Sequence, residues 1–241
     1  MKKNPLIVAL DVSSQDKALK ICHQLEDQVD LFKVGLELFL AEGPGVVKAI
    51  KETGANVFLD LKLHDIPNQV AGACREIVKM GVGMFTIHTQ GGFNMMKWAA
   101  EATKEESLRL KISPPAILGV TILTSLDNND LTDMGIKKKV NEQVVNLATM
   151  AMKAGLDGVV SSPNEILDLR QAIGKDKIIV VPGIRPKGEA AIDQKRVMSP
   201  SEAIAAGANY VVIGRPIIKD ENPKIKAKKI LNEIEGVKKG D

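Results

Sequence analysis

The chain of 241 residues lacks the sequence features that identify several common classes of protein. It has only two cysteines, Cys22 and Cys74, which lie far apart without a CxxC or Cys/His spacing, so neither a disulfide framework nor a zinc site is expected. A reduced cytoplasm is therefore the expected location. No apolar run is long enough to span a membrane. The first apolar run is interrupted by Asp11 and lacks a small-residue cleavage site, which argues against a signal peptide.

An excess of one charge is also missing, because 33 Lys and Arg residues stand against 30 Asp and Glu residues. A formal charge of +3 creates no basic field, so nucleic acid is not expected as a partner. The first apolar run continues into "LDVSSQ" without the glycine-rich turn of a doubly wound dinucleotide-binding sheet. Motifs for pyridoxal phosphate, thiamine, flavin or nicotinamide are absent as well, and we expect no cofactor.

What the chain does have is a regular alternation of short Val- and Ile-rich runs with longer segments of helical period. This alternation is typical of βα units around a parallel sheet, and near-continuous hydrophobicity indicates strands covered on both faces. Eight strands with eight crossovers in about 240 residues predict a single-domain α/β protein, a (β/α)8 TIM barrel over residues 1–241. The predicted strands are 6–12, 31–35, 56–62, 84–89, 116–123, 158–162, 178–184 and 210–214.

Polar side chains recur where these predicted strands end. In a barrel the strand ends form one mouth, where the catalytic groups of this fold lie. Asp60 and Lys62 are two residues apart and should share a strand face. With Lys33 and Asp65 they would form an alternating array of charges, and burying such an array for stability alone is unfavourable compared with apolar packing. The strand-end residues are Asp11, Lys33, Asp60, Lys62, His88, Thr121 and Thr124.

A second group of residues lies late in the chain, where "VPGIRP" (181–186) and "VIGRP" (212–216) each end a strand with glycine and arginine. Glycine frees backbone amides and the arginine guanidinium supplies a fork of donors, in the place where barrels commonly bind phosphate. Two such turns in successive βα loops favour a phosphate site. The polar stretch 185–199 between them has no clear element and is a candidate mobile phosphate-binding loop.

The motifs together resemble the orotidine 5'-phosphate decarboxylase family. They are "LDV", "FKVG", "DLKLHDIPNQV", "TIHTQGG", "VTILTS", "VPGIR" and "VIGRPI", in the family's order from Asp11 to Ile217. The short DxKxxD pattern is shared with sugar-phosphate decarboxylases and synthases of the same superfamily, whereas the longer "DLKLHDIPNQV" is highly specific. The resemblance implies decarboxylation of orotidine 5'-monophosphate to UMP, the last step of de novo pyrimidine biosynthesis, without a metal or an organic cofactor.

The resemblance also implies a role for each matching residue. Lys62 would be the proton donor, in a charged array with Asp60, Asp65 and Lys33. Asp65 and Ile66 would reach into the partner subunit's site, which implies a homodimer. The remaining substrate contacts would be Asp11 and Lys33 to the ribose, Thr124 to the pyrimidine, Gln194 between base and phosphate, and Arg185, Gly214 and Arg215 to the phosphate.

Two alternatives remain at this point. One is a metal-dependent sugar-phosphate decarboxylase or synthase of the same superfamily, whose members typically carry an acidic metal ligand where this chain has Lys33. The other is a non-catalytic protein that binds nucleotide phosphates on the same scaffold. It would need the phosphate turns, but it would have no use for Lys62 placed between two aspartates.

Overall fold

Eight parallel strands close into a barrel, each hydrogen-bonded to the next along the chain and the last to the first. This computed structural model describes residues 4–185 and 198–238. The predicted (β/α)8 fold is confirmed. The strands are β1 (Leu6–Ala9), β2 (Leu31–Gly35), β3 (Asn56–Leu63), β4 (Met84–His88), β5 (Ala116–Val120), β6 (Gly158–Val160), β7 (Ile178–Val181) and β8 (Tyr210–Ile213).

Helices connect the strands and cover the outside of the barrel. Their ends follow local sequence signals: α4 begins with a proline at its first turn and stops at Gly81, whose left-handed φ of 67° suits glycine. Within the described ranges no helix is both long and apolar enough to cross a membrane. The helices are α1 (Gln15–Leu25), α2 (Leu36–Glu42), α3 (Gly45–Glu52), α4 (Pro67–Met80), α5 (Gly92–Leu110), α6 (Asn128–Asp133), α7 (Val140–Lys153), α8 (Ile166–Ile173), α9 (Pro200–Ala205), α10 (Arg215–Ile218) and α11 (Pro223–Lys238), with 3-10 turns at Thr89–Gly91 and Pro163–Glu165.

Alternate residues of each strand pack into two separate apolar layers. On β3, Phe58 belongs to the cluster that fills the barrel, whereas Leu59 belongs to the larger layer between strands and helices. Both side chains are buried. The same alternation continues to Asp60, so the inward face of β3 changes from apolar to charged as the strand approaches the mouth.

Several strands are shorter than the apolar runs that predicted them. Leu10, Ile122 and Ile184 follow the ends of β1, β5 and β7 and are still almost completely buried. Hydrophobicity therefore continues into the connections at the mouth, and it does not report where the sheet hydrogen bonds stop.

Most of the candidate loop 185–199 lies outside the described residues, but its two ends are described. Ile184 and Met198 form an isolated parallel bridge, and the Arg185 amide donates to the Met198 carbonyl oxygen at 3.1 Å. The segment therefore leaves and rejoins the barrel at neighbouring points.

Candidate active site

A cavity of about 260 Å³ opens at the carboxyl-terminal end of the barrel. Its size is close to the lower end of the range typical of small-molecule sites, about 300 to 1,000 Å³. Eight residues predicted for the site line it together, although they come from six different βα units. They are Asp11, Lys33, Asp60, Lys62, Thr124, Arg185, Gly214 and Arg215.

The floor of the cavity carries a chain of alternating charges. Lys33 Nζ lies 3.5 Å from Asp11 Oδ1 and 3.5 Å from Asp60 Oδ2. Lys62 Nζ lies 3.0 Å from the same Asp60 oxygen. Side-chain exposure is 11% for Asp60 and 14% for Lys33, so these ion pairs are far less screened by water than pairs on an outer helix surface.

Asp60 is the centre of this array. Burial opposes ionisation of its carboxyl group, but the charges of Lys33 and Lys62, with hydrogen bonds from Lys62 and Thr86, lower the pKa of Asp60 below its ordinary value. The carboxylate is therefore ionised at neutral pH. It holds two ammonium groups against a single oxygen atom at the base of the cavity.

The backbone of Lys62 is unusual. Its φ of 53° lies in the left-handed region, which costs a non-glycine residue about 1 to 3 kcal/mol. The pairing of β3 with β4 shifts here, because Leu59 pairs with Phe85 but Leu63 already pairs with Ile87. Asp60 and Lys62 both point into the mouth as the alternation predicts, but the strand reaches this arrangement through a bulge.

The two late glycine–arginine turns also line the cavity. Arg185 follows β7 and Arg215 begins α10 directly after β8. At Gly214 an added Cβ would lie 2.9 Å from Asp11 Oδ2 and 3.2 Å from the Ala9 Cβ, so a side chain here would press on the Asp11 carboxylate and on β1. The array of Asp and Lys residues and the two arginines thus face a common space.

Two predicted site residues, Asp65 and Ile66, do not line the cavity of the described chain. Asp65 and Ile66 follow β3 and are exposed, with 63% of Ile66 accessible. The Asp65 carboxylate accepts a hydrogen bond from the Ile66 amide at 2.6 Å. Gln194 lies outside the described residues.

Comparison with known proteins identifies the family. A model of the Orotidine 5'-phosphate decarboxylase / HUMPS family matches residues 4–230. The chain belongs to this family. The orotidine 5'-phosphate decarboxylase of Moorella thermoacetica is 49% identical over 237 residues, which cover 98% of this chain and 94% of that protein. The decarboxylase of Carboxydothermus hydrogenoformans is 48% identical, with 98% of each chain covered.

A solved structure agrees with this membership of the orotidine 5'-phosphate decarboxylase / HUMPS family. The crystal structure of orotidine 5'-phosphate decarboxylase from Lactobacillus acidophilus superimposes with a TM-score of 0.85 at 37% identity, covering 96% of this chain and 99% of the other. The family expected from the sequence motifs is therefore confirmed.

Sequence reasoning missed polar residues at this family site. Thr86 is completely buried, and its hydroxyl contacts both Asp60 and the Lys62 backbone. Ser161 lines the cavity and donates to Glu165 at 3.2 Å. A signal for Thr86 was available in "MFTIHT", because it is a polar residue at an inward position of a buried strand. Ser161 gave a similar signal, because it is a polar residue near the end of the predicted strand 158–162 and lies directly after the observed β6.

In the part of the chain that the structure describes, no three His, Cys, Asp or Glu side chains come close enough to hold a metal ion. The acidic residues of the cavity are separated by lysines instead. Lys33 lies between Asp11 and Asp60 and approaches each of them to 3.5 Å.

Proposed function

We propose that this protein decarboxylates orotidine 5'-monophosphate to UMP and CO2, the last step of de novo UMP biosynthesis, and that Lys62 donates the proton to carbon 6 of the pyrimidine. The observation that carries the proposal is the Lys33–Asp60–Lys62 array facing two arginines across one cavity. The names of relatives that share almost half of their residues with this chain support the same reaction.

The chemistry explains why an ammonium group is needed. Loss of CO2 from carbon 6 leaves an electron pair in an orbital in the plane of the ring, where the π system cannot delocalise it. A cation held at that carbon stabilises the developing charge and then supplies the proton that replaces CO2. Lys62 has the required group, and its ammonium is held 3.0 Å from Asp60 at the edge of the cavity.

Asp60 and Lys33 would prepare Lys62 for this step. Because Asp60 is ionised, it attracts the Lys62 ammonium 3.0 Å away and fixes the direction in which that group points. Asp60 would also face the carboxylate of the substrate, which raises the energy of the bound substrate relative to the transition state. Lys33 limits the negative charge that accumulates at the base of the site.

The rest of the cavity would bind the parts of the substrate that do not react. Asp11 and Lys33 would hold the ribose, and Thr124 the pyrimidine. Arg185, Gly214 and Arg215 would bind the phosphate, and Gln194 would link base and phosphate. Binding energy at the distant phosphate can then be used to order the site around the reacting carbon and to close the segment 185–199 over it.

The active form would be a homodimer in which Asp65 and Ile66 complete the site of the partner. Two observations support this arrangement: both residues are exposed, and neither lines the cavity of its own chain. Mixing Lys62→Ala protein with Asp65→Ala protein tests it, because one of the two sites in each mixed dimer would be intact. Random exchange should restore about one quarter of wild-type activity. No restoration after confirmed subunit exchange would show that Asp65 does not act across the interface.

The reaction is tested by following orotidine 5'-monophosphate spectrophotometrically in the presence of EDTA. Turnover should be insensitive to the chelator; activity that EDTA removes and magnesium restores would indicate the metal-dependent relatives instead. Binding of UMP without any turnover would indicate the non-catalytic alternative.

The role of Lys62 is tested by Lys62→Ala, with Lys48→Ala as its control. Lys48 lies on the outer helix α3 with 82% of its side chain exposed. The first variant should lose UMP formation and keep its fold, whereas the control should remain fully active. Near-normal turnover in Lys62→Ala would exclude it as the proton donor.

The phosphate assignment is tested by Arg215→Ala, with Arg75→Ala on the outer helix α4 as its control. We expect the KM for orotidine 5'-monophosphate to rise and kcat/KM to fall in the first variant alone. If both constants stay at wild-type values, Arg215 does not bind the phosphate.

A further inference from the structure

Thr86 lies at the one place where β3 departs from regular pairing. Leu59 pairs with Phe85 and Leu63 with Ile87, so the segment from Asp60 to Lys62 stands opposite Thr86 alone. A regular ladder cannot satisfy the backbone of a bulged segment. The side chain of Thr86 supplies a partner that the β4 backbone does not.

The Thr86 hydroxyl makes two hydrogen bonds of fixed direction. The Lys62 amide donates to Thr86 Oγ1 at 2.9 Å, and Thr86 Oγ1 donates to Asp60 Oδ1 at 3.0 Å. An amide can only donate and an ionised carboxylate can only accept, so the hydroxyl proton has to point towards Asp60. Thr86 has no exposed surface, so solvent does not compete with its hydroxyl for either contact in the folded protein.

These contacts give the two carboxylate oxygens of Asp60 different partners. Oδ1 accepts from Thr86, and Oδ2 faces the ammonium groups of Lys62 and Lys33. Rotation of the carboxylate would break the contact with Thr86. The same hydroxyl therefore fixes the backbone from which the Lys62 side chain departs and the carboxylate against which that side chain rests.

We propose that Thr86 is a positioning residue for the decarboxylation: its hydroxyl holds the left-handed backbone of Lys62 and the orientation of Asp60, so that the Lys62 ammonium points at the reacting carbon. This inference rests on the proposed function for its kinetic consequence. Its structural part concerns only the hydrogen bonds of Lys62, Asp60 and Thr86, which can be measured without a substrate.

The test compares Thr86→Val with Thr86→Ser. Valine has nearly the shape of threonine but no hydroxyl, whereas serine keeps the hydroxyl. Thr89→Val is the matched control, because Thr89 is also completely buried and its hydroxyl donates to the Val120 carbonyl at 2.8 Å, but it does not line the cavity. Each valine variant leaves buried polar groups without their partner, so both should unfold more readily than wild type.

We expect kcat to separate the variants. A misplaced catalytic group costs up to about a hundredfold in rate, so Thr86→Val should lose about tenfold or more in kcat with KM within a few fold of wild type. Thr86→Ser should recover most of that loss, and Thr89→Val should keep the wild-type kcat. Equal kcat values for the two valine variants, or a serine variant as slow as Thr86→Val, would overturn the proposal.

Amide hydrogen exchange tests the inference if Thr86→Val does not fold. In the wild-type protein the Lys62 amide should exchange far more slowly than the amides of the exposed turn that follows it. Exchange as fast as in that turn would refute the hydrogen bond on which the inference depends. A wild-type protein that fails to turn over orotidine 5'-monophosphate would instead overturn the proposed function and leave the exchange result intact.

Discussion

Replacing Asp60 by asparagine should turn Lys33 from a stabilising residue into a destabilising one. In the wild-type protein the ammonium of Lys33 faces two carboxylates, Asp11 and Asp60, each at 3.5 Å. Lys62 contacts the same oxygen of Asp60 from another side. Once the charge of Asp60 is removed, the two ammonium groups face each other without the anion that separated them.

The structure sets the scale of this effect. Both ammonium nitrogens approach a single oxygen, at 3.5 Å and 3.0 Å, so they are no more than about 6.5 Å apart. At an effective dielectric constant near 20, two like charges at that distance repel by about 2.5 kcal/mol. Movement of the side chains towards the mouth relieves part of this repulsion, so we expect about 1 to 2 kcal/mol of it to remain in the Asp60→Asn variant.

The assay is a thermodynamic cycle of urea unfolding at pH 7 and one protein concentration, with wild type, Asp60→Asn, Lys33→Met and the double variant. Lys33→Met should lower the free energy of unfolding in the wild-type background, by about 1 to 2 kcal/mol, because it leaves Asp60 with one cation fewer. In the Asp60→Asn background it should raise the free energy of unfolding. If Lys33→Met is equally destabilising in both backgrounds, the lysines do not interact through Asp60.

Three further predictions concern stability. Arg170 donates hydrogen bonds to the carbonyl oxygens of Gly207, Gly174 and Lys177 and to the side chain of Asn209. In urea unfolding, Arg170→Lys should lower the free energy of unfolding by about 2 kcal/mol and leave the kcat of the folded protein unchanged. A smaller loss of stability than in a surface arginine variant would contradict this prediction. The pKa of Asp60 is lowered in the folded state, so the ionised carboxylate stabilises the fold fully above its ordinary pKa. This contribution to stability should disappear as the pH falls through the lower folded pKa. The difference in melting temperature between wild type and Asp60→Asn should therefore narrow below about pH 4. Burial lowers the pKa of His88, and the charges of His64 and Lys62 lower it further, whereas the charge of Asp60 opposes the shift. As the pH falls, the unfolded chain therefore binds this proton before the folded protein does, and stability should decrease below about pH 6.5. His88→Gln should flatten that part of a plot of melting temperature against pH, and an unchanged slope would contradict the assignment.

The barrel could be predicted because each of its strands is covered on both faces. A buried parallel strand is apolar almost throughout, which separates it from the amphipathic helices on either side. The ends of the strands were less accessible to prediction. Leu10, Ile122 and Ile184 are as buried as strand residues although they lie beyond β1, β5 and β7, so the apolar pattern continues where the sheet has already ended.

The cavity residues that could be predicted from the sequence pattern are the charged residues at the strand ends and those of the two glycine–arginine turns. Asp11, Lys33, Asp60 and Lys62 are conspicuous beside apolar runs, and the topology alone brings their strand ends together. The bulge at Lys62 left no such mark, because it results from the register of β3 against β4 and not from the local sequence. A lysine is one of the residues from which a left-handed backbone is not expected.

Strain and unfavourable charge burial occur together on β3, and the scaffold around them explains how both persist. Phe58 anchors the strand inside the barrel, and Leu59 anchors it against the helices immediately before the charged segment begins. A conformation that costs free energy survives only where its surroundings determine it, and here the two apolar layers fix the strand on both faces. A mobile loop could carry the same residues, but it would relax the backbone of Lys62 and let its ammonium move away from Asp60. The site therefore depends on both parts of β3: buried apolar residues in its first part fix the strand, and this packing keeps Lys62 in a left-handed conformation in its second part.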